Sequence, residues 1–293
     1  MTTFTDTEPS RILTATDGVT LAVYESGPAD APTALLVHGW PDDHRVWDGV
    51  VALLTDRFRV VAYDVRGAGN SGRPNSTAAY RIPQLVADLT TVLDAVAPDG
   101  AHLLTHDWGS IAAWDAVADP EFAARTRSFT SISGPSLDMT GVWVRGIRRH
   151  PREVLTQLRH SFYSVPFQLP ALPEVAVRRG LVSRIVAASS VRGEPEGTAP
   201  HTITLPDTLD GIALYRANMI RPVLFPRPRP VTVPVQVLAP RDDIHVSVAC
   251  QTEAPQPFAT NLRTHEIEGN HWVPAQRPAV VARRFREFTD TLR

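Results

Sequence analysis

Apolar strand runs and amphipathic helical stripes alternate through the first 134 residues of the chain. Arg11–Ala15 and Thr20–Tyr24 flank an Asp17-Gly18 turn and predict a hairpin. Ala34–Val37 is an uninterrupted apolar run that stops at His38-Gly39, the pattern of a strand buried on both faces. Trp47, Val50, Val51 and Leu54 then recur at helical spacing. Val60–Tyr63 predicts a second buried strand, and Ile82–Val96 a helix with a stripe of Leu85, Leu89, Val92 and Leu93. Leu103 and Leu104 begin a third core strand that runs into His106-Asp107-Trp108-Gly109. A helix from about Ser110 to Val117 and a strand at Phe129–Ser133 follow. Such alternation implies an α/β fold with a mostly parallel sheet flanked by helices.

The rhythm breaks after Gly134. Helical patterns at Val154–Phe162, Val175–Ala188 and Leu209–Met219 carry the chain to Pro230 without a convincing strand. A polar stretch, Val191–His201, lies among them, and a proline-rich exit runs from Pro222 through Pro234. Strand signal returns at Val235–Leu238 and near His265–Ile267, and Pro278–Leu292 closes the chain as a helix. The expected organisation is one core, residues 1–134 and 231–293, interrupted by a helical cap at 135–230.

Composition narrows the chemistry. All 29 basic residues are arginine, so reactions that need a lysine amine are excluded. The formal charge of −2 gives no nucleic-acid footprint. A lone Cys250 leaves no disulfide framework and no cysteine cluster for zinc. The polar, acidic N-terminus has no signal-peptide pattern, and no apolar stretch approaches the ~18 residues of a membrane span. A cytoplasmic monomer or homodimer is therefore expected.

Three corners of the predicted sheet carry reactive groups at the C-terminal ends of strands, where parallel α/β sheets place chemistry. At Leu103–Ser110 a strand turns directly into a helix with Asp107 at the corner, in the spacing small-x-nucleophile-x-small. An ordinary N-cap is the other reading of that Asp. His38-Gly39-Trp40-Pro41-Asp42 follows a buried strand, so the backbone N–H groups of Trp40 and Trp108 could form an oxyanion hole. Gly269-Asn270-His271-Trp272 follows the last strand, where a catalytic base would sit, and Asp243 or its neighbour Asp242 follows the strand before it. His106, His245 and Arg66 read as packing, loop and turn-anchoring residues.

Taken together, His38–Asp42, Tyr63–Pro74, His106–Gly109 and Gly269–Trp272 resemble the epoxide hydrolases of the α/β-hydrolase fold over nearly the whole chain. Within the insert, Tyr163–Pro170 and Leu214–Met219 are similar to the segments that carry the family's two cap tyrosines. The resemblance implies that Asp107 attacks an epoxide carbon, that Tyr163 and Tyr215 donate to the departing oxygen, and that His271, oriented by Asp243, activates water. No cofactor or metal is implied. The partners are a small hydrophobic epoxide and water, contacted by Phe167, Trp108 and Trp272, with Phe162, Leu169, Leu172 and Trp143 as further apolar wall. Thr105 departs from the family pattern, which has glycine two residues before the nucleophile. A haloalkane dehalogenase and a non-catalytic ligand-binding homologue are the competing readings. The chain also resembles epoxide-hydrolase-like domains fused to a short-chain dehydrogenase, although it contains no dinucleotide fingerprint.

Overall fold

A computed structural model describes Phe4 and residues 7–292. Eight strands form one sheet: β1 (Arg11–Thr14), β2 (Thr20–Ser26), β3 (Thr33–Val37), β4 (Arg59–Tyr63), β5 (Ala101–His106), β6 (Thr126–Ile132), β7 (Val235–Pro240) and β8 (Leu262–Ile267). Their spatial order is β1-β2-β4-β3-β5-β6-β7-β8. Pairing is antiparallel from β1 through β2 to β4 and parallel beyond.

The two-residue period of the strands sorts the core into two layers. Leu35, Val37 and Leu103 point to one face, where they meet Leu89, Val92 and Trp114. Ala34, Leu36 and Leu104 point to the other, beside Trp47, Val50 and Phe285. The first layer is covered by α2 (Ile82–Val96), α3 (Asp107–Val117) and α4 (Pro120–Ala124), while α1 (Asp48–Leu54), which precedes them in sequence, lies across the sheet in space.

Between β6 and β7 the chain is helical: α5 (Leu137–Arg145), α6 (Pro151–His160), α7 (Leu172–Arg178), α8 (Leu181–Ser190), α9 (Leu205–Asp210), α10 (Ile212–Asn218) and α11 (Ile220–Leu224). Helices α12 (Val248–Glu253), α13 (Val273–Gln276) and α14 (Pro278–Asp290) complete the fold, and α14 joins α1 on the second face. A third apolar cluster, built from Trp40, Trp108 and Trp272 of the core and Phe167, Leu214 and Tyr215 of the insert, binds the two parts together.

Several predicted boundaries shift for local reasons. The single helix expected over Val175–Ala188 is two, broken at Gly180 with φ +73°. The helix expected over Leu209–Met219 breaks at Gly211, where a Cβ would lie 1.6 Å from the Trp40 ring. Strand β6 ends before Ser133, whose φ of +52° turns the chain out of the sheet. The proline-rich exit begins inside α11. The helix expected from Ser110 starts three residues earlier, at Asp107 itself.

Candidate active site

Asp107 sits at the corner between β5 and α3 with φ +50°, a left-handed conformation that costs a non-glycine residue about 1 kcal/mol. The corner closes because its neighbours are small: a Cβ on Gly109 would stand 2.4 Å from the His38 carbonyl oxygen. Thr105, the departure from the family pattern, is fully buried on β5 and donates its hydroxyl to the Thr130 carbonyl on β6 (3.1 Å). The corner thus forms with a β-branched residue in place.

The Asp107 carboxylate is buried and held from both sides. Trp40 N–H donates to its Oδ1 at 2.8 Å, and the Trp108 N–H also reaches it. On the other oxygen, Oδ2, stands His271 Nε2 at 3.7 Å. His271 Nδ1 is 3.0 Å from Asp243 Oδ2. Asp243 is itself oriented by the N–H groups of His245 (2.8 Å) and Val246 (3.0 Å), which donate to Oδ1. Asp242, the alternative acid, is exposed and lies beside Gly193, away from His271.

Burial pushes the Asp107 pKa up to about 6, against the pull of His271 and the Trp108 and Trp40 N–H groups. Burial lowers the His271 pKa, but Asp243 overcomes this by charge and hydrogen bond, with Asp107 and Asp42 adding to it, and the net value is about 9. At neutral pH the pair is therefore mainly carboxylate and imidazolium. Asp243, although buried, stays ionised because His271 holds its carboxyl well below the usual range.

Tyr163 and Tyr215 face each other across the cavity with hydroxyls 3.3 Å apart. Burial raises both phenol pKa values, and the Asp107 charge raises them further, so both keep their protons. Asn218 fixes α10 and with it Tyr215, donating to the Tyr80 carbonyl (2.9 Å) and accepting from Ile82 N–H (2.9 Å).

Asp107, Tyr163 and Tyr215 stand where two cavities meet. One, of about 570 Å³, runs past Trp108, Ile111, Leu137 and Val223; the other, of about 520 Å³, runs past Trp40, Phe167, Val186 and Trp272. Phe162 lines both and Leu172 lines the second. Two expected wall residues are elsewhere. Trp143 is packed in the core against α12, with its indole N–H on Glu253 (2.9 Å), and Leu169 is half-exposed outside both cavities.

The other assignments divide. His106 points away from the cavity and donates from Nε2 to the His271 carbonyl (2.8 Å); burial lowers its pKa to about 3, so it is neutral. Arg66 anchors its turn through Asp88 (2.6 Å) and Asp17 (2.8 Å). His245, read from sequence as a loop residue, lines both cavities between Tyr163 and His271, with ring centroids 5.2 and 4.8 Å away. Sequence reasoning also missed three supports. Gln157 of α6 accepts from Ser247 N–H (2.7 Å) and donates to the His245 carbonyl (3.2 Å), clamping the acid loop. Asn270 donates to the Ser190 carbonyl (2.8 Å), and Asp42 pairs with His201 of the insert (2.5 Å). Asn270 and Asp42 flank residues already singled out, and that adjacency was the available signal. Among the described residues, no group of three or more His, Cys, Asp or Glu is placed to hold a metal.

Comparison with known proteins adds relatives to this geometry. Residues 32–168 match a family profile described as alpha/beta hydrolase fold. The chain is 35% identical over 294 residues to "Probable oxidoreductase EphD" of Mycobacterium tuberculosis, an alignment covering 96% of this chain and 49% of that one. It thus spans about half the length of that relative. It is 28% identical to mouse "Epoxide hydrolase 4", covering 87% of this chain and 72% of the relative. Among solved structures, one of the novel epoxide hydrolases from metagenomes of hot environments superposes with a TM-score of 0.75 at 23% identity, covering 96% of this chain and 98% of that one.

Proposed function

The chain has the α/β-hydrolase fold, and from that premise we propose that it is an epoxide hydrolase acting on a hydrophobic epoxide through an Asp107 ester. The observation that carries this reading is the meeting of one carboxylate and two phenol hydroxyls in an apolar cavity. A strained ether opens when a nucleophile attacks carbon while an acid protonates the departing oxygen. Asp107 supplies the first, and Tyr163 or Tyr215 the second. The resemblance of the chain to mouse "Epoxide hydrolase 4" supports the same reaction.

The protons then close a cycle. Opening leaves a phenolate, an Asp107 alkyl ester and a protonated His271. Esterification removes the Asp107 charge, one of the attractions that hold the His271 proton. His271 reprotonates the phenolate and becomes a base. It then takes a proton from water, whose oxygen attacks the ester carbonyl. The Trp40 and Trp108 N–H groups, already on Oδ1 and its neighbourhood, hold the oxyanion. Collapse returns the carboxylate, releases a vicinal diol and leaves His271 protonated once more.

Because the two cavities extend to either side of Asp107, the fitting substrate is an epoxide flanked by an apolar arm on each carbon. A single turnover of such an epoxide in ¹⁸O-water should release diol without solvent label, since the new oxygen comes from Asp107. Label in that first diol would mean direct attack by water and end the ester mechanism.

The tyrosines separate this reading from halide displacement, which needs no acid for the leaving group. Tyr163→Phe and Tyr215→Phe should each slow epoxide opening about 10- to 100-fold, with the remaining phenol still donating, and the double variant more. Halide release from a haloalkane that is unaffected by either change would assign the chain to dehalogenation. Stopped-flow quenching of the Trp40 and Trp108 fluorescence gives the opening rate directly.

A further inference from the structure

Both arms of the cavity open on the insert, and their rims are apolar and exposed. Leu158, Val165, Ile220 and Leu224 line the first arm while standing about half or more open to solvent. Leu172, Leu181 and Ile185 do the same for the second. Phe162, 69% exposed, lines both, so the two mouths share one continuous apolar border. Leu155 and Phe225, the latter 66% exposed, widen this surface on α6 and just past α11. Clusters of this size are seldom left facing water without a partner.

Charge indicates what that partner is. Residues 135–230 hold thirteen arginines against seven carboxylates, a net charge of +6, whereas the rest of the chain carries −8. Arg152, Arg159, Arg178 and Arg184 are exposed on α6, α7 and α8, helices that form the rims, and Arg148 and Arg149 are exposed on the loop that leads into α6. Among the described residues none of these six has an ion pair, although elsewhere Arg66, Arg73 and Arg277 each engage two carboxylates. A second copy of the chain would bring +6 against +6 and be repelled.

We propose that this face docks on an anionic lipid bilayer, with the arginines on the headgroups and the apolar rim in the acyl boundary. Apolar side chains set among basic ones are the composition that seats a protein in a membrane interface. Docked in this way, both arms open onto the acyl layer, so an apolar ligand enters without crossing water. No helix among the described residues is long and apolar enough to cross a membrane, and the docking proposed for this face is peripheral. The inference concerns where the cavity opens and holds whatever chemistry the cavity performs.

Flotation of the purified chain with vesicles tests it, without any substrate. The protein should float with phosphatidylglycerol–phosphatidylcholine vesicles, remain behind with phosphatidylcholine alone, and detach as salt is raised. Replacing Arg149, Arg152 and Arg184 together by Glu should weaken anionic-vesicle binding at least about a hundredfold, given roughly a fivefold contribution from each basic residue at such a surface. Leu155→Glu with Phe225→Glu should also release the protein while leaving its circular dichroism and melting temperature unchanged. Protein that ignores anionic vesicles at low salt, or arginine variants that bind as wild type, would overturn the proposal. So would a particle near twice the chain's 32.1 kDa that the Leu155/Phe225 variant dissociates, since another copy would then cover the face.

Discussion

His271→Ala is expected to stop the reaction halfway, with substrate covalently held on Asp107. In the proposed mechanism ester formation uses Asp107 and the phenols, which the substitution leaves in place. Ester hydrolysis needs a base within reach of water, and the imidazole that faces Asp107 Oδ2 is that of His271, at 3.7 Å. Loss of a positioned general base slows a step by about 10²–10⁴-fold. Intact-mass spectrometry after mixing with epoxide should show a shift equal to one substrate, located on the peptide containing Asp107. His245 does not substitute, because burial, the larger cause of its lowered pKa, persists in the variant and leaves it a poor base. A variant that stays unmodified and still makes diol would remove His271 from the mechanism.

Asp107→Ala is expected to abolish diol formation altogether, by at least about 10⁴-fold or ~5.5 kcal/mol of activation free energy. The nearby carboxylates are not placed to take over: Asp243 is turned toward His271 and Asp42 toward His201. The protein should nonetheless fold, because the substitution removes a buried charge from a site where burial already opposes it, and it leaves the β5–α3 corner with a smaller side chain. Retained melting temperature with no turnover is the expected pair of readings. Residual activity within tenfold of wild type would place the nucleophile elsewhere.

The centre of the sheet could be read from sequence because strands such as β3 and β4 are buried on both faces and so appear as continuous apolar runs ending in a polar residue. Ala34–Val37 and Val60–Tyr63 each lie within a strand of the sheet. Helix breaks in the insert were harder to see. Gly180 and Gly211 lie within patterns whose apolar spacing continues across them, and only the turn at one and the Trp40 ring at the other reveal the interruption.

At the site, residues next to strand ends were legible, since topology alone brings Asp107, Asp243 and His271 to one edge of the sheet. Gln157 and His201 were not. Each acts on a residue 90 or 159 positions away, across the join between core and insert. No local pattern encodes such a contact. The same reason explains Trp143 and Leu169: apolar character places a residue under cover or near a cavity, but which cavity depends on how the helices pack.

The join at Trp40 has a consequence for how such proteins diversify. Its N–H belongs to the carboxylate at the heart of the core, while its indole rests on Gly211 and donates to the Thr208 carbonyl of the insert (3.1 Å). One residue therefore links the position of the insert to the amide that holds the Asp107 carboxylate. An insert transplanted from a relative would carry its own helices and cavity walls, but any side chain in place of that glycine would push the ring and tilt the amide behind it. The two parts of the chain are thus not exchangeable modules. New substrate ranges are open to this scaffold by changing cavity walls, while wholesale replacement of the insert must preserve the bare backbone at this single point.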